Sequence, residues 1–367
     1  MRPPVSSVLL TTDAVGGVWT HTLDLARGLA AREVQVTLAV LGPRPSPAQA
    51  EAARSTGSRL LITDLPLDWA GADEDALRAA GRSLAALATK AGAALVHLNS
   101  PALAAGRDFS MPLVIGCHSC VATWWGTMRG TPLPEEFARQ RALVAAGYAA
   151  ANALVAPSRA FARMTAEQYG LRRQPRVVHN GRPPRPMVHG ARDGILAAGR
   201  LWDEAKNIAL LDRIAPRLEA TVLVAGPLAA PHGGSAHFPR LWHLGALDSA
   251  AMASSLAVHA IFVSPARYEP FGLAVLEAAQ AGCALVLSDI PSFREIWGDA
   301  ADYVAPDDEE GFLQALQALS DDPALRVQRG AAARKRAGLY TDDAMVEGML
   351  DLYRDVLLHH SPLESAA

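Results

Sequence analysis

Residues 264–277 read Ser-Pro-Ala-Arg-Tyr-Glu-Pro-Phe-Gly-Leu-Ala-Val-Leu-Glu. The apolar run at 260–264 predicts a buried strand that ends at Ser264, and a helical pattern begins near Leu273. Glu269 lies in the loop between them. Because open parallel sheets bind ligands beyond the carboxyl ends of their strands, this stretch predicts an α/β fold with an anion site at the start of the helix.

The same alternation of short apolar strands and helical stretches runs through the whole chain. It is interrupted at 181–186 by Gly-Arg-Pro-Pro-Arg-Pro, which predicts a stiff connection because proline removes backbone donors and disfavours helix before it. We therefore expect two Rossmann-like, doubly wound parallel-sheet domains that face each other across a cleft. The predicted boundaries are 1–182, 183–342 and a last helix at 343–367 that packs back on the first domain.

Composition excludes several classes of protein. The 367 residues are 50% apolar and 19% charged, which gives material for two packed cores and no case for disorder. A net charge of −3 argues against a protein that coats nucleic acid. Three cysteines do not make a secreted disulfide framework, and no signal peptide or apolar run of about 18 residues is evident. We expect a cytoplasmic protein, with a peripheral contact to the inner face of the membrane left open.

Two carboxylates flank the predicted helix start. Glu277 lies about one turn into the helix, where a carboxylate can accept hydrogen bonds from the two hydroxyls of a ribose. Glu269, in the preceding loop, is placed to hold a sugar ring instead. The alternative is that both are surface carboxylates beside an ordinary helix start.

Two cations follow an earlier strand of the same half. The segment 198–207 reads Ala-Gly-Arg-Leu-Trp-Asp-Glu-Ala-Lys-Asn and places Arg200 and Lys206 at a strand's carboxyl end. Fixed cations there would stabilise the charge that develops on a departing diphosphate. The alternative is a solvated charge cluster.

The first half carries three weaker signals. Gly16 and Gly17 form a turn after the first strand, where the missing Cβ lets the backbone approach a ligand. His118 follows the strand 113–117 and is a candidate hydrogen-bond partner of a sugar hydroxyl. Its neighbours Cys117 and Cys120 leave open a redox or zinc alternative.

An aromatic and basic group follows His118 along the chain. Side chains of this kind can stack on an acceptor sugar, lie at a lipid interface or pack in a helix core. The sequence does not choose among these alternatives for Trp124, Trp125 and Arg129.

These motifs resemble those of retaining GT-B glycosyltransferases, family 4 in particular. Glu269 and Glu277 match the E-x7-E signature, and Gly199, Arg200, Lys206 and Asn207 match the G-R-x(n)-K-[GN] element. The resemblance implies that Glu269 and His118 contact the donor sugar and that Glu277 binds the ribose. It further implies donor contacts, to sugar, phosphate or nucleoside, at Gly16, Gly17, Leu244, Gly245, Phe271, Gly272 and Leu273.

The predicted function is retaining transfer of a hexosyl unit from a nucleotide-diphosphate sugar to a hydroxyl of a glycan, glycolipid or small molecule. The predicted catalytic residues are His118, Glu269, Arg200 and Lys206. We expect no cofactor and no metal, because Arg and Lys would neutralise the diphosphate. Two alternatives remain: a nucleotide-sugar epimerase or hydrolase of the same fold, and a non-catalytic nucleotide-sugar-binding scaffold subunit.

Overall fold

A computed structural model describes residues 4–184, 192–230 and 233–360. These residues form two compact units: the first contains 4–181 and 342–360, and the second contains the described part of 182–341. The end of the predicted proline-rich connection, Arg185 and Pro186, lies outside the described residues. None of the helices in the described ranges has the length and apolar content needed to span a membrane.

The first unit is built on a seven-stranded parallel sheet with the order β3-β2-β1-β4-β5-β6-β7. Strand β1, between β2 and β4, is buried on both faces, as its Val-Leu-Leu run predicts. The strands are Ser7–Asp13 (β1), Gln35–Leu41 (β2), Arg59–Ile62 (β3), Leu95–Leu98 (β4), Leu113–Gly116 (β5), Ala153–Ala156 (β6) and Arg176–Val177 (β7). The helices along the chain are Gly16–Ala30 (α1), Pro47–Arg54 (α2), Glu74–Lys90 (α3), Val121–Arg129 (α4), Ala138–Ala150 (α5) and Arg159–Tyr169 (α6).

The second unit is built on a six-stranded parallel sheet with the order β10-β9-β8-β11-β12-β13. Its strands are Ile195–Ala198 (β8), Val222–Ala225 (β9), Trp242–Gly245 (β10), Ile261–Ser264 (β11), Ala284–Ser288 (β12) and Asp302–Val304 (β13). Its helices are Ile208–Ile214 (α7), Ser249–Val258 (α8), Leu273–Gln280 (α9), Pro291–Trp297 (α10), Glu309–Asp321 (α11) and Pro323–Ala337 (α12). Two parallel-sheet α/β units confirm the predicted fold class.

The last helix, Asp342–His360 (α13), belongs to the first unit and packs against α1. Close contact is possible because residue 28 is glycine: a Cβ there would lie 2.3 Å from a methyl of Val346. Arg32 extends the contact with ion pairs to Asp343 at 2.9 Å and Glu347 at 2.6 Å. The chain thus returns to the first unit after completing the second.

Each sheet has one point where the strand order reverses. The reversal lies between β1 and β4 in the first sheet and between β8 and β11 in the second. Loops that leave adjacent strands in opposite directions open a crevice at such a point, and ligands of doubly wound sheets bind there.

Candidate active site

The switch point of the second sheet brings the two strongest sequence motifs together. The loop after β8 carries Arg200 and Lys206, and the loop after β11 carries Glu269. Lys206 Nζ lies 2.5 Å from Glu269 Oε2, and the two side chains are only 14% and 17% exposed. The backbone N–H of Arg267 also donates to the carbonyl of Ala205 at 2.9 Å, so the loops are joined by backbone as well.

Asn207 fixes the loop that presents Lys206. Its backbone is left-handed, with φ of 55°, a conformation that asparagine tolerates better than most residues. Its side-chain amide donates to the carbonyls of Pro265 at 3.1 Å and Pro306 at 2.9 Å. The asparagine of the sequence motif therefore positions the lysine next to it.

Arg200 is held by an acid that the sequence analysis did not single out. Asp203 Oδ2 lies 2.7 Å from Arg200 Nη2, and Asp203 Oδ1 accepts the backbone N–H of Ala205 at 3.0 Å. Asp203 is buried, while the Arg200 side chain is 36% exposed. The guanidinium is thus oriented from one side and open to solvent. The three-residue spacing of these opposite charges was the available signal.

The start of α9 depends on Gly272. This residue has φ of 92°, a left-handed conformation that favours glycine. A Cβ here would lie 3.1 Å from the buried ring of Phe293, so the position also leaves little room for a side chain. The next residue along the helix, Leu273, is half-buried, and the free N–H groups of its turn are those that favour an anion.

The side chain of Phe271 points away from solvent and anchors the loop before α9. Its side chain is buried and packs edge-on against Tyr340, with ring centroids 5.7 Å apart. The serine Ser292 donates to the carbonyl of Glu269 at 2.5 Å and fixes the preceding loop. The Pro-Phe-Gly-Leu stretch is therefore anchored in the core at Phe271 and Gly272.

Glu277 lies in α9 as predicted and faces a cation that the sequence analysis did not assign to the site. Arg182 Nε is 3.1 Å from Glu277 Oε1, and the two side chains are 10% and 12% exposed.

Leu244 and Gly245 end the edge strand β10 of the same unit. Gly245 has φ of 72° and lies where the register with β9 shifts, and its carbonyl accepts the N–H of Gly226 at 2.8 Å.

In the first unit, the glycine turn follows β1 at the switch point. Gly16 and Gly17 are exposed, and Gly16 has φ of 68°. Asp13 closes the turn, since its Oδ1 accepts the backbone N–H of Val15 at 2.8 Å. The turn thus presents backbone rather than side chains to solvent.

His118 follows β5 and is held by Asn99, which follows β4. Asn99 Oδ1 lies 2.8 Å from His118 Nε2. The Asn99 amide nitrogen donates to the carbonyl of Thr11 at 2.7 Å and to Thr22 Oγ1 at 3.0 Å, which fixes which end of the amide meets the histidine. His118 Nε2 therefore carries the proton and donates, leaving Nδ1 as the acceptor.

Two further histidines lie near His118. His21 packs edge-on against it, with ring centroids 5.7 Å apart. His97 Nδ1 shares a hydrogen bond of 2.7 Å with Tyr353 Oη. Burial lowers the pKa of His118 to about 3, with a smaller contribution from His21. Burial lowers the pKa of His21 to about 4 and that of His97 well below its ordinary value. All three imidazoles are therefore neutral at pH 7, so His118 is a hydrogen-bonding group and not a cation.

The aromatic group after His118 forms a half-buried cluster on α4. Trp124 and Trp125 pack with ring centroids 6.4 Å apart, and Phe137 covers Trp125 at 5.9 Å. Arg129 lies over both indoles, 5.0 Å and 5.8 Å from their centroids. The indoles are neither fully exposed nor part of the buried core, and Arg129 itself is exposed.

The C-x-x-C pair lies in a hydrogen-bonded environment. Cys117 is buried, and burial raises its pKa to about 12, so it stays a thiol. Cys120 Sγ is 3.1 Å from Tyr169 Oη and 3.3 Å from Thr123 Oγ1. Within the described ranges, no three His, Cys, Asp or Glu side chains are arranged to hold a metal ion.

Comparison with known proteins identifies the family of this chain. Residues 15–185 match the family described as Glycosyltransferase Family 4, and residues 192–322 match Glycosyl transferases group 1. A phosphatidyl-myo-inositol mannosyltransferase of Mycolicibacterium smegmatis is 30% identical over 47% of this chain and 48% of its own length. The chain spans about half the length, or less, of the curated relatives it matches.

Solved structures show the same fold. Sucrose-phosphate synthase from Thermosynechococcus elongatus has a TM-score of 0.78 at 18% identity, covering 96% of this chain and 100% of that one. Anabaena HepE in complex with UDP-glucose has a TM-score of 0.75 at 14% identity, covering 95% and 99%. The fold is that of the GT-B glycosyltransferases. The chain belongs to glycosyltransferase family 4.

Proposed function

We propose that this protein is a retaining glycosyltransferase that moves a hexosyl unit from a nucleotide-diphosphate sugar to an acceptor hydroxyl. The observation that carries the proposal is the Lys206–Glu269 contact at the switch point of the second sheet, beside Arg200 and the N-terminus of α9. Two cations and a helix terminus on loops that this contact joins suit a diphosphate. The family match at 192–322 contains all of these residues.

Each donor contact has a chemical reason in this arrangement. Arg200 and Lys206 bind the diphosphate together with the backbone N–H groups at Gly272 and Leu273. Glu269 accepts hydrogen bonds from sugar hydroxyls, and Glu277 accepts them from the ribose. His118 contributes a neutral imidazole, which can exchange a hydrogen bond with a sugar hydroxyl without adding charge.

The transfer step breaks the bond between the anomeric carbon and the diphosphate oxygen. The acceptor oxygen attacks from the face that the diphosphate leaves, and the acceptor proton passes to the departing diphosphate oxygen. Retention of anomeric configuration follows from attack on that face. Arg200 and Lys206 stabilise the negative charge as it develops, so the protein's own cations supply the neutralisation.

Glucose and mannose are the first donor sugars to test. HepE was solved with UDP-glucose, and the mycolicibacterial relative is named a mannosyltransferase. We infer a UDP-glucose or GDP-mannose donor.

We infer that the acceptor is carried by, or lies near, an anionic surface such as that of a glycolipid-containing membrane. The stretch 121–176 contains only three acidic residues, Glu135, Glu136 and Glu167. Its arginines are all exposed: Arg129, Arg139, Arg141, Arg159, Arg163, Arg172, Arg173 and Arg176. The excess of exposed arginine over acidic residues in this stretch, with two half-buried tryptophans, favours a surface that is both anionic and apolar. Binding to phosphatidylglycerol vesicles, absent with phosphatidylcholine vesicles, supports this inference, and equal binding to both contradicts it.

The test of the function is acceptor-dependent turnover. UDP-glucose and GDP-mannose are each incubated with octyl glucoside, octyl mannoside or phosphatidylinositol vesicles, and release of nucleoside diphosphate is measured. The proposal predicts release that requires an acceptor and a product whose one-bond C1–H1 coupling shows the same anomeric configuration as the donor. Equal release without acceptor indicates hydrolysis, and conversion of the donor to an isomeric nucleotide sugar indicates the epimerase alternative. Donor binding with neither release nor isomerisation in any mixture indicates the scaffold alternative.

A further inference from the structure

Arg182 makes an ionic contact to the carboxylate assigned to the ribose. The guanidinium Nε lies 3.1 Å from Glu277 Oε1, and both side chains are nearly buried. A carboxylate in such a place needs a cation or several hydrogen-bond donors, because an unpaired buried charge is strongly unfavourable. Arg182 supplies such a cation to Glu277 at a place with little solvent.

The backbone of Arg182 is fixed as firmly as its side chain. Its N–H donates to the carbonyl of Tyr340 at 3.1 Å, and the residue pairs with Thr341 in an isolated bridge. Its carbonyl accepts the side-chain amide of Gln280, three residues after Glu277 on α9, at 3.1 Å. Arg182 thus contacts α9 through both its guanidinium and its carbonyl.

We propose that Arg182 is a positioning residue, which orients the Glu277 carboxylate to accept the two hydroxyls of the donor's ribose. The inference rests on the proposed function. A carboxylate has about four lone-pair sites, so an arginine contact on one oxygen leaves capacity for hydroxyl donors. The ion pair draws one carboxylate oxygen toward the guanidinium and so limits the rotation of the carboxylate. Arg182 acts through Glu277 and needs no contact with the donor.

The inference predicts an effect on ribose recognition in particular. The measurement is the ratio of dissociation constants for 2′-deoxy and ordinary nucleoside diphosphates, using UDP/dUDP and GDP/dGDP in titration calorimetry. For the pair that binds the wild type, we expect a ratio of about 10, because a hydrogen bond to a charged group is lost with the 2′ hydroxyl. Glu277→Gln reduces the ratio toward 1. Arg182→Gln reduces it similarly, while the dissociation constant for inorganic pyrophosphate stays at its wild-type value.

Two further variants separate positioning from folding. Arg182→Lys keeps the positive charge without the planar fork, and we expect an intermediate ratio. If Arg182→Gln does not fold, the double variant Arg182→Gln/Glu277→Gln removes both buried charges, and Arg182→Lys alone still tests the inference. The matched control is Arg213→Gln, which removes an exposed ion pair with Glu309 and leaves the ratio unchanged.

The outcomes distinguish this inference from the proposed function. If the Arg182 variants keep the wild-type ratio of dissociation constants while Glu277→Gln lowers it to about 1, Arg182 has no positioning role. Glu277 then remains the ribose ligand. A wild-type ratio in Glu277→Gln overturns both. A loss of affinity for pyrophosphate equal to the loss for nucleoside diphosphate indicates general damage to the unit and also overturns the positioning role.

Discussion

Lys206 Nζ and Glu269 Oε2 are 2.5 Å apart, joining the loops that follow two neighbouring strands, β8 and β11. The two residues are far apart along the chain, and the reversal of strand order at this point makes their contact possible. Each partly buried charge is stabilised by the other. A substitution at one position therefore changes the electrostatics of the other as well.

We predict that Lys206→Ala lowers kcat/KM for transfer by a factor on the order of 10² to 10³, because it removes a cation from the developing diphosphate charge. The double variant Lys206→Ala/Glu269→Ala should lose less than the product of the two single losses, since the residues are in contact. Steady-state kinetics on the four proteins measures this coupling. Fully multiplicative losses would show that the two side chains act independently.

Gly272→Ala should impair both stability and donor binding. The left-handed backbone alone costs about 1–2 kcal/mol for a residue with a Cβ. The new methyl also lies 3.1 Å from the Phe293 ring and 3.3 Å from a methyl of Val275, so the helix start must shift.

The matched control is Gly71→Ala, where φ is 82° and no atom lies within 4 Å of the methyl that alanine would add. Chemical denaturation and nucleotide titration of both variants separate the two effects. We expect both to lose stability and only Gly272→Ala to lose donor affinity. Unchanged affinity in Gly272→Ala would remove the start of α9 from the donor site.

Asn99→Asp should change the protonation of His118. The amide nitrogen that donates to Thr11 and Thr22 becomes an oxygen, and a carboxylate beside the imidazole favours its charged form. We expect the pKa of His118 to rise from about 3 and transfer activity to fall. Imidazole nitrogen shifts in NMR report both the tautomer and the pKa. An unchanged pKa of His118 together with full activity would contradict the role of Asn99.

The histidine cluster predicts how stability depends on pH. Burial depresses the folded-state pKa values of His21, His97 and His118, so the unfolded chain binds more protons below its histidine pKa of about 6.5. Stability is therefore lost as pH falls through this range. Between pH 7.5 and 5.5 each histidine should cost about 1.4 kcal/mol of unfolding free energy.

Urea unfolding at these two pH values measures the loss. His21→Phe removes one titrating group and should reduce the difference by about 1.4 kcal/mol. The exposed His359→Gln is the control and should leave the difference unchanged. A His21→Phe protein with the wild-type pH dependence would show that His21 protonates in the folded state as easily as in the unfolded chain.

The strands were the most predictable part of the fold. Buried runs such as Leu95–Leu98 and Ala284–Ser288 are bounded by polar or turn residues, so sequence alone locates their ends. Helix α5 was not predicted, because its alanine-rich segment carries arginines and a glutamine at its start and lacks a clear apolar face. Helix α12 was not predicted for the same reason, since it too is rich in alanine and arginine.

The site was predictable where local motifs define it and not where distant residues meet. Glu269, Glu277, Arg200 and Lys206 follow from spacing around a strand end and a helix start. Their partners do not: Arg182 meets Glu277, and Asn99 meets His118, only through the order of strands and the path of the chain. A polar residue directly after β4, next to the switch point, was the one available signal for Asn99.

The central claim is that the second unit binds a nucleotide-diphosphate sugar through Arg200, Lys206, Glu269 and Glu277. Thermal unfolding with UDP-glucose, GDP-mannose and ADP-glucose, in the wild type, Arg200→Ala and Glu277→Ala, tests it most directly. At a hundred times its dissociation constant, the cognate donor should stabilise the wild type by about 2.7 kcal/mol. We expect this shift for one nucleotide and its loss in both variants. A folded wild type that none of the three donors stabilises, or a shift that survives both substitutions, would contradict the claim.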